Sequence, residues 1–303
     1  MPLETLKPQP RDLGGGLVVR RLLPALRRPA VGPFVFFDHF GPLRVQPADR
    51  HDVRPHPHIG LATVTYLFDG AMQHHDSTGA FQRIEPGAVN WMIAGRGIVH
   101  SERRPADLQQ RAYALHGLQL WVAAPAAQEE AEPSFRHVGA GQIPQAEPGD
   151  GGARVRLLVG QAYGLQSPVP AMSPTLFIDI ELPAGAALPL PGRDAAEERA
   201  LYLVQGSAAL LDLGDAPQPL PPQQLVLLPA ESAPTLRAAA DAPARAVLIG
   251  GTPLGPRHLW WNFVSSRPER IEQAAEAWAR DAMGQVPGET ERIQLPEARW
   301  RRR

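Results

Sequence analysis

Apolar positions along this chain come in short bursts, not in long stripes. Leu61–Phe68 is rich in β-branched and aromatic residues and stops at Asp69 and Gly70. Ala88–Ile93 stops at Ala94 and Gly95, and Leu115–Val122 alternates apolar with other positions. Thr175–Leu182, Ala200–Val204, Ala208–Leu213 and Ala246–Ile249 repeat the style further on. Short runs of this kind, bounded by turn formers, read as strands. With 28 glycines, 34 prolines and no low-complexity repeat, the punctuation predicts many short strands joined by tight turns. One segment has the other period. Ile271, Ala274, Ala275 and Trp278 fall at helical spacing, and Ser266 to Glu269 before them fits a capping box with Pro268 in the first turn. The pattern predicts an all-β chain of two antiparallel barrels with a C-terminal helix starting near Ser266.

Residues 139–152 are rich in glycine and proline and read as a linker, which divides the chain into domains at 1–138 and 153–303. The length, 303 residues, suits two domains, and 44% apolar with 20% charged residues is ordinary globular composition. Thirty basic against 31 acidic residues leave a formal charge of −1, without the broad positive face of a nucleic-acid binder. Cysteine is absent, so disulfides, thiolate metal sites and a cysteine nucleophile are excluded. No apolar leader opens the chain and no run of 18 apolar residues occurs, so a soluble, cytoplasmic protein without membrane contact is expected.

Histidine changes the picture. Nine of ten histidines precede residue 138, and only His258 follows. His56 and His58 flank Pro57, and 42 residues after His58 come His100 and Glu102 around Ser101. Strand residues two apart share a face, so two such pairs on adjacent strands would aim three imidazoles and a carboxylate at one point. That set suits one divalent metal ion with open positions; Fe, Mn, Ni, Cu and Zn all fit. A single pair would read better as two hydrogen-bonded histidines at a strand start. Two matching pairs favour a metal site.

The motifs around these residues carry a resemblance. Phe37-Asp-His-Phe-Gly-Pro42, His56-Pro-His58, Thr63–Tyr66, His74–Gly79 and the run Trp91–Glu102 resemble the pirin family in order and spacing, over about residues 30–122. Pirins are two-barrel cupins of the jelly-roll type, and the resemblance implies that His56, His58, His100 and Glu102 are the metal ligands. It also implies a mononuclear centre, Fe(II) first, with quercetin 2,3-dioxygenase-type chemistry on a flavonol or another enolic or phenolic small molecule and O2. Glu102 is then the candidate general base. The alternative it implies is a non-catalytic, redox-sensitive regulator that binds a protein partner through its metal state.

Two positions depart from the family pattern. Ile59-Gly-Leu-Ala62 replaces a frequent Arg-Gly-Phe-Glu, so Ala62 stands where cupins carry a glutamate. Leu188–Gly192 stands where a second His-x-His would fall, so the second barrel is expected to be metal-free. Smaller expectations concern the remaining candidates. His74 and His75 sit at a turn before Asp76, with His74 as a pocket acid or base the lesser reading. Asp38 and His39 either buttress the site or hydrogen-bond in the core, His116 is structural, and Trp260 and Trp261 pack. The basic run 299–303 is a solvated tail.

Overall fold

A computed structural model of the chain describes residues 3–14 and 16–298. The basic run at 299–303 lies outside the described residues. Strands account for 47% of the chain, and a 12-residue helix, Pro268–Ala279, follows near the end. The all-β architecture of two cupin barrels is what the structure shows.

The chain forms two compact units, each built from a seven-stranded and a four-stranded antiparallel sheet. In one unit the large sheet runs in the order Ser134–Val138, Val89–Ile93, Leu61–Asp69, Tyr113–Ala123, Phe34–Val45, Val18–Leu23 and Gln9–Asp12. Its small sheet runs Val53–His58, Ile98–Arg103, Met72–Asp76 and Phe81–Ile84. Leu61–Asp69 is buried on both faces over its first seven residues, which accounts for its continuous apolar run. The second unit repeats the plan. Its small sheet runs Ala187–Pro189, Thr235–Ala238, Ala208–Leu211 and Gln218–Pro219, over a core that includes Leu188, Leu210, Leu236 and Leu248.

The units do not follow the division at 1–138 and 153–303. Contacts assign Leu22–Val35 to the unit of Gly141–Pro253, and Leu254–Arg303 to the unit of Phe36–Ala140. The physical reason for the second exchange is apolar packing. Ile271, Ala274 and Trp278 on the helix share one buried cluster with Ile59, Val99, Phe263 and Val286, so the helix belongs to the histidine-bearing barrel. The expected linker is also built into structure: Gln145–Ala146 pairs with Arg154–Val159, and Asp150 bridges Ala187.

The capping box expected at Ser266 does not form. The helix begins at Pro268, with Arg267 at the cap and no side-chain cap of its own. Instead Glu129, buried and distant in sequence, accepts hydrogen bonds from the Ser266 amide at 2.7 Å and the Ser265 hydroxyl at 2.8 Å. These bonds anchor the segment that leads into the helix, where the Arg267 amide also donates to the Ser265 hydroxyl at 3.1 Å.

Candidate metal centre

The small sheet of the histidine-bearing unit sets the site. Val53–His58 and Ile98–Arg103 run antiparallel, with His100 opposite His56 and Ile98 opposite His58. On its other edge Ile98–Arg103 pairs with Met72–Asp76, with His100 opposite Asp76 and Glu102 opposite His74. Strand alternation puts His56, His58 and His100 on one face. All three are buried, and one ring nitrogen from each lies within 4.8 Å of the others. The ring centroids stand 4.3 to 5.0 Å apart, and the Trp121 ring closes edge-on against His58 at 5.0 Å.

Hydrogen bonds decide which nitrogens are free. His56 Nδ1–H donates to the Arg54 carbonyl at 2.8 Å, and His58 Nδ1–H donates to the Asn262 carbonyl at 3.1 Å. His74 Nε2 faces the Asp76 carboxylate at 2.8 Å, which can only accept, so that nitrogen carries the proton. With that single proton on the ring, His74 Nδ1 is a lone pair that accepts from His100 Nδ1 at 3.4 Å. Each of the three clustered imidazoles therefore keeps Nε2 as an unprotonated donor. His100 Nε2 is fully buried without a hydrogen-bond partner, a costly state for a polar atom unless a cation meets it. Burial lowers His56 to about 4, a backbone hydrogen bond to Arg54 opposing and the nearby His74 adding to the fall. Burial likewise holds His58 and His100 well below the usual imidazole range, with the neighbouring histidines adding to it. Three convergent imidazole nitrogens, one of them buried without a partner, fit a divalent ion.

Glu102 stands outside this 4.8 Å group. The register shifts between His100 and Glu102, so that Glu102 faces Val53 and not Arg54. Its carboxyl is buried, and that burial pushes it up to about 7 against the Thr65 hydroxyl, which lowers it.

Other sequence candidates fall into place around the site. His74 and Asp76 lie on a strand, and Asp76 serves three neighbours, one of them the Ala80 amide at 3.2 Å. One carboxylate oxygen accepts from the Thr78 amide at 2.8 Å and its hydroxyl at 2.6 Å, organising the expected turn, while the other holds His74. Sequence reasoning missed His74 as the orienter of His100; the signal was the i, i+2 spacing of His74 and Asp76, the same as in the two ligand pairs. Asp38 and His39 form a separate network. Arg21 makes a bidentate pair with Asp38 at 2.8 and 2.7 Å, and His39 meets His116 at 2.7 Å. Trp260 and Trp261 pack with Phe263 and Trp278. Ala62 is buried in the large sheet, opposite Ile93 and Val122. Gly60 has a close-approach role: it sits at φ +67°, and a Cβ there would fall 2.0 Å from the Val264 carbonyl oxygen.

Two cupin barrels, one of them carrying three convergent imidazoles, define a bicupin with a candidate mononuclear metal centre. The chain belongs to the pirin family: the family model described as Pirin matches residues 16–122, and that of the Pirin C-terminal cupin domain matches residues 177–284. It is 42% identical over 276 residues to a pirin-like protein of Caulobacter vibrioides, covering 90% of this chain and 91% of that one. Its fold is similar to the crystal structure of quercetin 2,3-dioxygenase from Acinetobacter baumannii, with a TM-score of 0.87 and 30% identity over 99% of this chain and 97% of that one. No helix among the described residues is long and apolar enough to cross a membrane.

Proposed function

We propose that the chain is a divalent-metal-dependent dioxygenase of the quercetin 2,3-dioxygenase type, acting on a flavonol or a related enol with O2 as co-substrate. The observation that carries this reading is the buried, unpartnered Nε2 of His100 beside the free nitrogens of His56 and His58. His56, His58 and His100 would hold the ion, Fe(II) first, with Glu102 as the carboxylate of the set. When bound, such an ion supplies Lewis acidity toward an enolate oxygen and the redox partner that O2 chemistry requires.

The chain's own residues supply the rest. Glu102, buried on the same strand as His100, is the carboxylate that accepts the enol proton. Asp76 orients His74, and His74 as an acceptor for His100 Nδ1 favours the His100 tautomer with Nε2 unprotonated. The buried Trp121 ring packs edge-on against His58 and gives that imidazole an apolar neighbour.

Iron loading followed by oxygen uptake against quercetin and other enols tests the reading. The wild-type protein is expected to take up one ion per chain and to consume O2 with at least one of these substrates. Glu102→Gln should keep the ion through the three histidines and lose turnover by roughly 10²–10⁴-fold, the usual worth of a general base. Iron-loaded protein that consumes no O2 with any enol, yet binds a protein partner differently as Fe(II) and Fe(III), would replace the enzyme with a redox-sensing regulator.

A further inference from the structure

The backbone ladder breaks where the ligands sit. Between Val53–His58 and Ile98–Arg103 the pairing runs regularly to His100 opposite His56, then skips so that Glu102 faces Val53. Pro55 lies in the skipped stretch and has no N–H to give. A strand pair that must hold three imidazoles in place is therefore weakest beside them.

The C-terminal segment spans that break from the outer face. The Ile293 amide donates to the Pro55 carbonyl at 2.8 Å, next to His56. Glu289 accepts from the Ser101 hydroxyl, midway between His100 and Glu102, and from Arg103, whose Nε lies at 3.1 Å. Ser101 is fully buried and Glu289 mostly so, which limits competition from bulk water. Two apolar contacts flank the polar ones. Val99, next to His100, and Ile59, next to His58, pack in one cluster with Trp278 and Val286. Trp278 in turn donates to the Ile293 carbonyl at 3.0 Å, which fixes the strand-facing stretch to the helix.

We propose that Glu289 is a positioning residue for the metal centre: by gripping Ser101 and Arg103 it fixes the strand that carries His100 and Glu102 across the gap in the ladder. Its carboxylate does not touch the imidazoles; it sets where they point. The proposal rests on the reading of His56, His58 and His100 as metal ligands.

Co(II) titration of the full chain, read by calorimetry and by the visible absorption of the bound ion, separates the two ideas. Wild-type protein is expected to bind one Co(II). Glu289→Ala should bind it at least tenfold more weakly, the scale seen when residues that orient metal ligands are lost, with shifted absorption bands that report a changed ligand geometry. Glu289→Gln keeps an acceptor for the Ser101 hydroxyl and should recover most of the affinity and the wild-type spectrum. Ser101→Ala leaves the Arg103–Glu289 pair intact and decides the matter if Glu289→Ala does not fold; it should also weaken binding and shift the bands. Folded Glu289→Ala, or Ser101→Ala in its place, with wild-type affinity and spectrum would overturn the positioning role alone. Failure of the wild-type protein itself to bind Co(II) would overturn the metal-site reading and this proposal with it.

Discussion

The two small sheets share one strand plan and fill it oppositely. Across three adjacent strands of one, the row reads His56, His100 and Asp76; across the corresponding strands of the other it reads Leu188, Leu236 and Leu210. The leucines are fully buried and close a continuous apolar core. Each contributes roughly 1.5–3 kcal/mol of burial, whereas the histidine row surrounds a buried nitrogen with no partner. All ten histidines and all six tryptophans fall within residues 36–140 and 254–303, and none within 141–253. One barrel carries convergent lone pairs where the other carries apolar filling. A cupin frame therefore does not imply a cupin site; the identity of one cross-strand row decides.

Exchanging that row is the sharpest way to break the comparison. His100→Leu should abolish metal binding while leaving the melting temperature of the metal-free protein unchanged or raised, because it removes an unsatisfied buried nitrogen and adds apolar volume. Leu236→His should do the reverse harm. It should lower stability by roughly 2–4 kcal/mol, through lost apolar burial and an imidazole with no partners, and recruit no metal, since the neighbours are leucines. Calorimetric unfolding and metal analysis of both proteins check this. A Leu236→His chain as stable as the wild type would mean the second core is loosely packed and that the contrast between the rows carries little energy.

The same contrast explains what could be read from the sequence. His56, His58 and His100 were legible because strand alternation turns an i, i+2 spacing into a shared face, and two such pairs point at each other once the strands are neighbours. The many short strands were legible from β-branched runs cut by glycine. Non-local partners were not. Nothing near Ser266 announces Glu129, which lies more than 130 residues earlier and anchors the segment leading into the helix. Nor does periodicity tell which barrel an amphipathic helix covers, because any apolar patch satisfies its stripe; Ile59 and Val99 made that choice in three dimensions. The shift that leaves Glu102 outside the imidazole group depends on the register around Pro55, which residue type alone does not fix.

Acid should separate the barrels by a smaller amount. His39 is held near 2 by burial first, then by Arg20 and His116, against an ordinary value of 6.5. The folded protein therefore refuses a proton that the unfolded chain accepts below pH 6.5. Stability tied to His39 is full above that value and is lost steadily as pH falls toward 2, at up to about 1.4 kcal/mol per pH unit. Tryptophan fluorescence reports only the histidine-bearing unit, so urea unfolding followed this way at pH 7 and pH 5 isolates it. Between those two conditions the wild-type protein should lose about 2 kcal/mol more than His39→Phe. Equal losses in the two proteins would show that His39 is not the group resisting protonation.

The smallest expected effect tests whether position, and not mere membership of the histidine-bearing unit, defines the site. His258 lies in that unit, on the short strand His258–Trp260 that pairs with Phe263–Ser265. It is opposite Ser265 in register and outside the group of three imidazoles. The same hairpin carries Asn262, whose carbonyl fixes His58 Nδ1 at 3.1 Å, and the backbone pairing of the hairpin sets where that carbonyl stands. Backbone pairing survives a change of side chain, and Leu259 and Trp260 still hold the hairpin through their partners Val264 and Phe263. His258→Ala should therefore shift Co(II) affinity by less than about twofold, within the range of ordinary surface substitutions. A loss of tenfold or more would show that the hairpin aims His58 through more than its backbone, and would extend the positioning role of the C-terminal segment from Glu289 back to residue 258.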